Sequence, residues 1–146
     1  MQDDTLTMEK CADIIFLALM IWREARGETR LAQEAVAMCV INRVSNPKWW
    51  GDNIINVIFK KWQFSSLTDP KDTQLTIWPS YGLTSWNLAM EIAEKAVNKL
   101  LEHPAPNSDS YYDDSIPRPY WATDENFVAK IGKLNFHNVD NDYERV

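Results

Sequence analysis

Glu24 and Glu28 stand four residues apart around an Arg-Gly pair, in the stretch 21–29 that reads IWREARGET. Glu24 follows Trp22 and Arg23 at the end of a long apolar run. A carboxyl group set among apolar side chains loses solvation of its charged form, and its pKa rises. A carboxylic acid poised in that way can protonate the oxygen of a glycosidic bond. The ordinary alternative is a helix-end glutamate paired with Arg23, Arg26 or Arg30, an arrangement that is common on surfaces and worth little energy.

Gly27 lies between the two acids. On a continuous helix, residues 24 and 28 would share one face. Glycine accepts the left-handed turn that ends helices, so the helix is expected to stop at Gly27. Glu28 then leaves the face of Glu24. It either lies across a cleft mouth or sits near the N-terminus of the next helix, where a negative charge is favourable.

These residues need elements to position them. Apolar residues recur at helical spacing from Met8 to Arg26, through Cys11, Ile15, Ala18, Leu19 and Trp22. Thr7 with Lys10 marks the start without the acid of a capping box. Thr29 is placed to cap a second helix over Arg30–Val44, with Leu31, Ala35, Ala37, Met38, Val40 and Ile41 inward. Pro47 and Gly51 break that pattern. A third helix is expected over Asn53–Lys60, with Ile54, Val57 and Ile58 inward, and a fourth from Thr84 or Ser85 to Leu101. The segment between them is long and irregular, which in a compact domain is usually functional. A short helix closed by Gly132 is expected over Asp124–Ile131. Strands are candidates around Leu75–Trp78, Ser110–Tyr112 and Leu134–His137. The reading is a mostly α (α+β) single domain, with a small β element and an acidic tail at 139–146.

Composition narrows the chemistry. The chain has 146 residues, 45% of them hydrophobic and 25% charged, the profile of one globular domain with a sizeable core. Its net charge of −6, without a dense Lys/Arg cluster, points away from nucleic acid. The seven tryptophans suit a carbohydrate cleft, although core packing also uses them. The apolar run Ala12–Trp22 is too short to span a bilayer. The net-negative segment before it is unlike a secretory leader, so no signal peptide is expected. Cys11 and Cys39 fall in helical patterns and read as reduced core thiols. With His103 and His137 alone, and no Cys/His cluster, no metal site or cofactor is expected.

Several separated motifs resemble one family. Glu24-Ala25-Arg26-Gly27-Glu28 is followed by Ala35-Val36-Ala37, then Asn42-Arg43-Val44, then Gln63-Phe64-Ser65. In order and spacing they resemble the SleB/CwlJ cell-wall hydrolases, which include spore-cortex lytic enzymes and phage endolysins. The segments SYYDDSIPRPYWA and IGKLNFH resemble that family's later motifs, so the likeness covers about residues 12–138. Ser110 and Leu134 stand where the family has histidines, and His137 stands where it has an aromatic tyrosine.

The resemblance implies a lysozyme-like domain acting on the glycan strands of peptidoglycan, with Glu24 as the single acid/base. It implies lytic transglycosylase chemistry between MurNAc and GlcNAc, with hydrolytic muramidase as the variant and Glu28 as the nearest second acid. Gln63, Ser65, Tyr111, Tyr112, Glu28 and Asn42 are the expected substrate-binding residues. Tyr111 and Tyr112, adjacent in a strand, are expected to face opposite ways, with only one lining the cleft. A zinc-dependent amidase and a non-catalytic glycan-binding protein are the competing classes. The expected setting is a phage endolysin. It would be a monomer made in the host cytoplasm without membrane insertion, and a separate membrane-permeabilising protein would release it to the wall.

Overall fold

The computed structural model describes residues 7–60 and 63–140. The chain begins with α1 (Met8–Ala25), capped by the Thr7 hydroxyl, which accepts from the Lys10 amide at 3.1 Å. The second half of α1 is buried nearly all round: Leu17, Ala18, Leu19, Met20, Ile21, Trp22 and Ala25. A helix apolar on every side belongs at the centre of a core, and α1 is the central element here.

Around it pack α2 (Arg30–Ser45), α3 (Ile54–Ile58) and α5 (Thr84–Val97). α5 meets the core through Ala89, Ile92, Ala93 and Ala96, and the small residues let the backbones approach closely. The Thr29 hydroxyl caps α2 by accepting from the Ala32 amide, and the Asn53 carboxamide caps α3 through Asn56. Ile54, Val57 and Ile58 point inward as expected.

Other expectations need correction. Leu31 is 54% exposed, and the buried face of α2 instead runs through Ala32, Gln33, Ala35, Val36, Ala37, Cys39, Val40 and Arg43. Gly27 does not adopt a left-handed backbone; α1 ends through Arg26 in the right-handed region, and the Glu28 amide donates to the Ala25 carbonyl. α5 is entered at Leu83 without a side-chain cap and ends at Val97, before Leu101. There Lys99 takes φ +60, its amide donates to Ala96 and the Leu100 amide donates to Lys95. This reversal puts Leu100 in solvent.

The long connection 59–83 contains one turn of helix, α4 (Ser65–Thr68), and a 3-10 turn over Thr73–Thr76. The strand expected around Leu75–Trp78 is absent because Asp72 accepts from the Gln74 amide and starts that turn.

The three-stranded antiparallel sheet comprises β1 (Ser110–Asp113), β2 (Phe127–Ile131) and β3 (Leu134–His137), in the order β1-β3-β2. Two of the three strands fall where expected. The third replaces the helix expected over Asp124–Ile131. The sequence FVAKI is rich in strand-favouring residues, and Gly132 (φ +61) makes a hairpin turn with Lys133 rather than ending a helix. β3 is buried along its whole length, with Leu134 and Phe136 in the main core. Of the acidic tail, Val139 and Asp140 are held by amide donation to the buried Asp109 carboxylate; residues 141–146 lie outside the described residues.

Both cysteines are free thiols, Cys39 buried and Cys11 half-buried. No helix among the described residues is long and apolar enough to cross a membrane. No group of three His, Cys, Asp or Glu side chains among them could hold a metal ion.

Candidate active site

A cleft of about 450 Å³ opens between the last turn of α1, the start of the long connection and the sheet. Glu24 is the one carboxylate among the described residues that line it. The aromatic rings of Trp49, Phe64, Tyr111, Tyr112, Tyr120 and Trp121 supply much of the rest, with Arg43, Gln63 and Ser110 as polar groups. An aromatic trough with few polar groups suits a ligand with alternating apolar faces and hydroxyls.

Burial pushes the Glu24 carboxyl up to about 7. The negative charge of Asp72 adds to the rise, and the Ser66 hydroxyl offsets part of it. Ser66 Oγ is fully buried and makes no hydrogen bond of standard geometry, so its effect on Glu24 comes from proximity rather than a closed bond. The Tyr111 hydroxyl is also buried and has no partner among the described residues; burial, aided by the Glu24 charge, pushes it well above the ordinary phenol range. Ser66 and Tyr111 thus both bear on the Glu24 carboxyl, and Tyr111 lines the cleft with it.

The neighbouring residue Arg23 fixes the connection to the helix. Its Nε donates to the Ile77 carbonyl at 3.2 Å and its Nη1 to the Ser66 carbonyl at 3.1 Å. Asp72 is held in turn, one carboxylate oxygen accepting from Ser65 Oγ at 2.6 Å and the other from the Gln74 amide at 2.8 Å. Ser65 itself is exposed and does not line the cleft.

Arg43 organises the far wall. It donates to the Asp109 carbonyl at 2.7 Å, to Gln63 Oε1 at 3.2 Å and to Ser110 Oγ at 3.4 Å. Its guanidinium stacks near Trp50 and Phe64, each 5.4 Å from the ring centroid. The sequence motifs around Arg43 and Gln63 thus converge through one side-chain hydrogen bond. Asn42, beside it on α2, turns elsewhere and donates to the Ser108 carbonyl at 2.9 Å, away from the cleft.

Tyr111 and Tyr112 both line the cleft, although they alternate along β1. Tyr111 packs toward the core against Phe136. Tyr112 stacks on His137 and meets Trp121 edge-on. His137 therefore acts as another ring in an aromatic cluster with Trp121 and Phe127, its Nδ1 bonded to Asn126 Oδ1 at 2.6 Å. Leu134 is a core residue. His103 accepts at Nδ1 from the Ala105 amide, which leaves Nε2–H to donate to Ser108; both bonds are structural.

Glu28 is not among the cleft residues. Its carboxylate lies over the β2–β3 turn, 3.1 Å from where a Cβ on Gly132 would stand. Ser66, Asp72 and the Arg23 strap have no counterpart in the sequence reading. They come from a stretch with no periodicity, and only the length of that irregular segment signalled a function.

Comparison with known proteins bears on the family and the fold. Residues 27–137 match the cell wall hydrolase family, a match that begins three residues after Glu24. A spore cortex-lytic enzyme of Halalkalibacterium halodurans is 28% identical over 94% of this chain and 41% of its own length. One from Bacillus cereus is 29% identical over 85% of this chain and 43% of its own length. The chain thus spans less than half the length of these curated relatives. Among solved structures, the catalytic domain of the germination-specific lytic transglycosylase SleB from Bacillus anthracis superposes with a TM-score of 0.69 at 25% identity. That superposition covers 93% of this chain and 99% of the other. The SleB catalytic domain from Bacillus cereus gives the same score and identity, over 92% and 94%. The fold is the lysozyme-like one of these domains. By the extent of the sequence match, the chain belongs to the cell wall hydrolase family.

Proposed function

We propose that the chain cleaves the MurNAc–GlcNAc bond of peptidoglycan glycan strands as a lytic transglycosylase, with Glu24 as the only acid/base. The observation that carries this is a single carboxyl group among the described residues that line an aromatic cleft, brought to about 7 by burial. The names of the relatives, spore cortex-lytic enzyme and lytic transglycosylase, support the substrate class.

The proton inventory closes with one residue. Protonated Glu24 donates to the glycosidic oxygen as the C1–O bond breaks, leaving an oxocarbenium-like sugar and the Glu24 carboxylate. The MurNAc 6-hydroxyl then attacks C1 and gives its proton to that carboxylate. The products are a 1,6-anhydro end, a new 4-hydroxyl end and Glu24 restored as an acid. A group near neutrality serves as donor and acceptor alike. A glycosidase that uses a nucleophile or a separate base needs a second carboxylate near the bond. Glu28 is turned to Gly132. Asp72 is not among the cleft residues and bears on Glu24 through its charge.

Mass spectrometry of muropeptides released from purified walls tests this reading. Anhydro-MurNAc ends are expected. Reducing MurNAc ends would identify a hydrolytic muramidase, and free stem peptides an amidase.

A further inference from the structure

Beyond the cleft, the segment 77–83 presents Ile77, Trp78, Tyr81 and Leu83 to solvent. Single exposed apolar residues are ordinary, but four within one short connection mark an interaction surface. Trp78 is 68% exposed, yet its ring has a fixed seat. The guanidinium carbon of Arg23 lies 4.6 Å from the ring centroid. Arg23 is buried and pinned by the carbonyls of Ile77 and Ser66. The indole is therefore held by a buried cation while most of its surface stays in water. Such pre-organisation lowers the ordering cost of any ligand that stacks on it.

The occupant follows from position and charge. Arg23 precedes Glu24, and Ser66, which Arg23 also holds, faces Glu24. The platform is therefore tied, through Arg23, to the helix end that carries Glu24. A polymer longer than the cleft must also lie on surface outside it, and this segment is exposed apolar surface joined to the same helix end. The stretch IWPSYGL carries no charge and the chain carries −6, which disfavours an anionic lipid surface. The apolar C–H face of a pyranose matches an indole face without needing charge.

We propose that Trp78 is a stacking platform for a sugar ring of the same glycan strand, outside the aromatic cleft and beyond Ser66. The proposal rests on the glycan reading given above.

The test uses the full chain carrying Glu24→Gln, so that binding is read without cleavage. Six-sugar glycan strands freed of stem peptides are titrated calorimetrically. Adding Trp78→Ala is expected to weaken binding roughly tenfold, equivalent to about 1.4 kcal/mol, and Trp78→Tyr to restore most of it. In the chain with Glu24 intact, Trp78→Ala should raise KM and leave kcat within about twofold. An affinity for the hexamer unchanged by Trp78→Ala overturns the proposal and leaves the glycan reading standing. If the Glu24→Gln chain binds no strand at all, the glycan reading falls and the platform with it. A fluorescence change on phosphatidylglycerol vesicles that depends on Trp78, without one on glycan, also overturns it in favour of a lipid surface.

Discussion

Arg23 Nη1 donates to the main-chain carbonyl of Ser66 at 3.1 Å. The residue before Glu24 in sequence thereby anchors the residue that faces Glu24 in space. The same guanidinium reaches the Ile77 carbonyl, so a connection of low periodicity is tied to the end of α1. The tie brings two opposing influences to Glu24: the Ser66 hydroxyl favours its charged form, and the Asp72 carboxylate disfavours it.

Substitutions at these two positions should therefore move the pH profile in opposite directions. If Glu24 is the acid of the proposed mechanism, activity should fall as pH rises past about 7. Asp72→Asn removes a like charge, lowers the Glu24 pKa and shifts the alkaline limb to lower pH. Asparagine keeps an oxygen to accept from the Gln74 amide, so the local turn survives. Ser66→Ala removes a group that favours the carboxylate and shifts the limb to higher pH. Limbs that move together, or not at all, in kcat/KM against pH would sink this account of the site.

Glu24→Gln should abolish turbidity loss of purified walls, by roughly 100-fold or more, as expected for loss of a general acid. It should also stabilise the fold. The folded pKa of Glu24 is about 7 against an ordinary 4.5. Between those values the native state holds a proton that the unfolded state has released, so stability falls as pH rises through that window. Above it, the native carboxylate costs at most about 3 kcal/mol. Below the window the cost vanishes. Glutamine removes it, so the variant should melt several degrees higher than its parent at pH 8 and near its parent at pH 4. Equal melting temperatures at pH 8 would mean that Glu24 is solvated.

Gly132 and Glu28 make a structural pair with a separate signature. Gly132 adopts φ +61, and a Cβ there would stand 3.1 Å from Glu28 Oε2. Gly132→Ala should cost about 1–2 kcal/mol through backbone strain and crowding of that carboxylate. Glu28→Gln should change kcat by less than about twofold, since Glu28 lies outside the cleft. Denaturant melts and wall-lysis rates separate the two effects. A collapse of kcat in Glu28→Gln would restore Glu28 to the chemistry.

The sequence was informative where periodicity or a specific motif carried the signal. Helix α1 and its cap at Thr7, the cap at Thr29 and the inward face of α3 follow from local spacing and capping chemistry. Phe127–Ile131 was misjudged because Gly132 suits a helix end and a hairpin turn alike, and strand pairing with Leu134–His137 decided between them. Leu31 faces solvent because the buried face of α2 runs through Ala32, Ala35, Val36, Cys39 and Val40 instead. In the site, Gln63 could be named from its motif, but its partner Arg43 comes from a helix twenty residues earlier. Ser66 and Asp72 belong to a stretch whose shape is set by Arg23, Ser65 and backbone amides, and no local pattern encodes that tie.

Tyr111 gives the sharpest separation of stability from function. Its hydroxyl is buried, has no hydrogen-bond partner among the described residues and lies within the electrostatic reach of Glu24. A buried polar group without a partner costs about 1–3 kcal/mol. Tyr111→Phe keeps the ring against Phe136 and removes only the oxygen. The variant should be as stable as its parent or about 1 kcal/mol more stable in urea melts. Under the proposed function, this hydroxyl donates in the complex to a sugar oxygen beside the scissile bond. Wall-lysis kcat/KM should therefore drop by roughly tenfold, the effect of about 1.4 kcal/mol of lost transition-state binding. Lower stability with unchanged kcat/KM would instead show that the hydroxyl serves the fold.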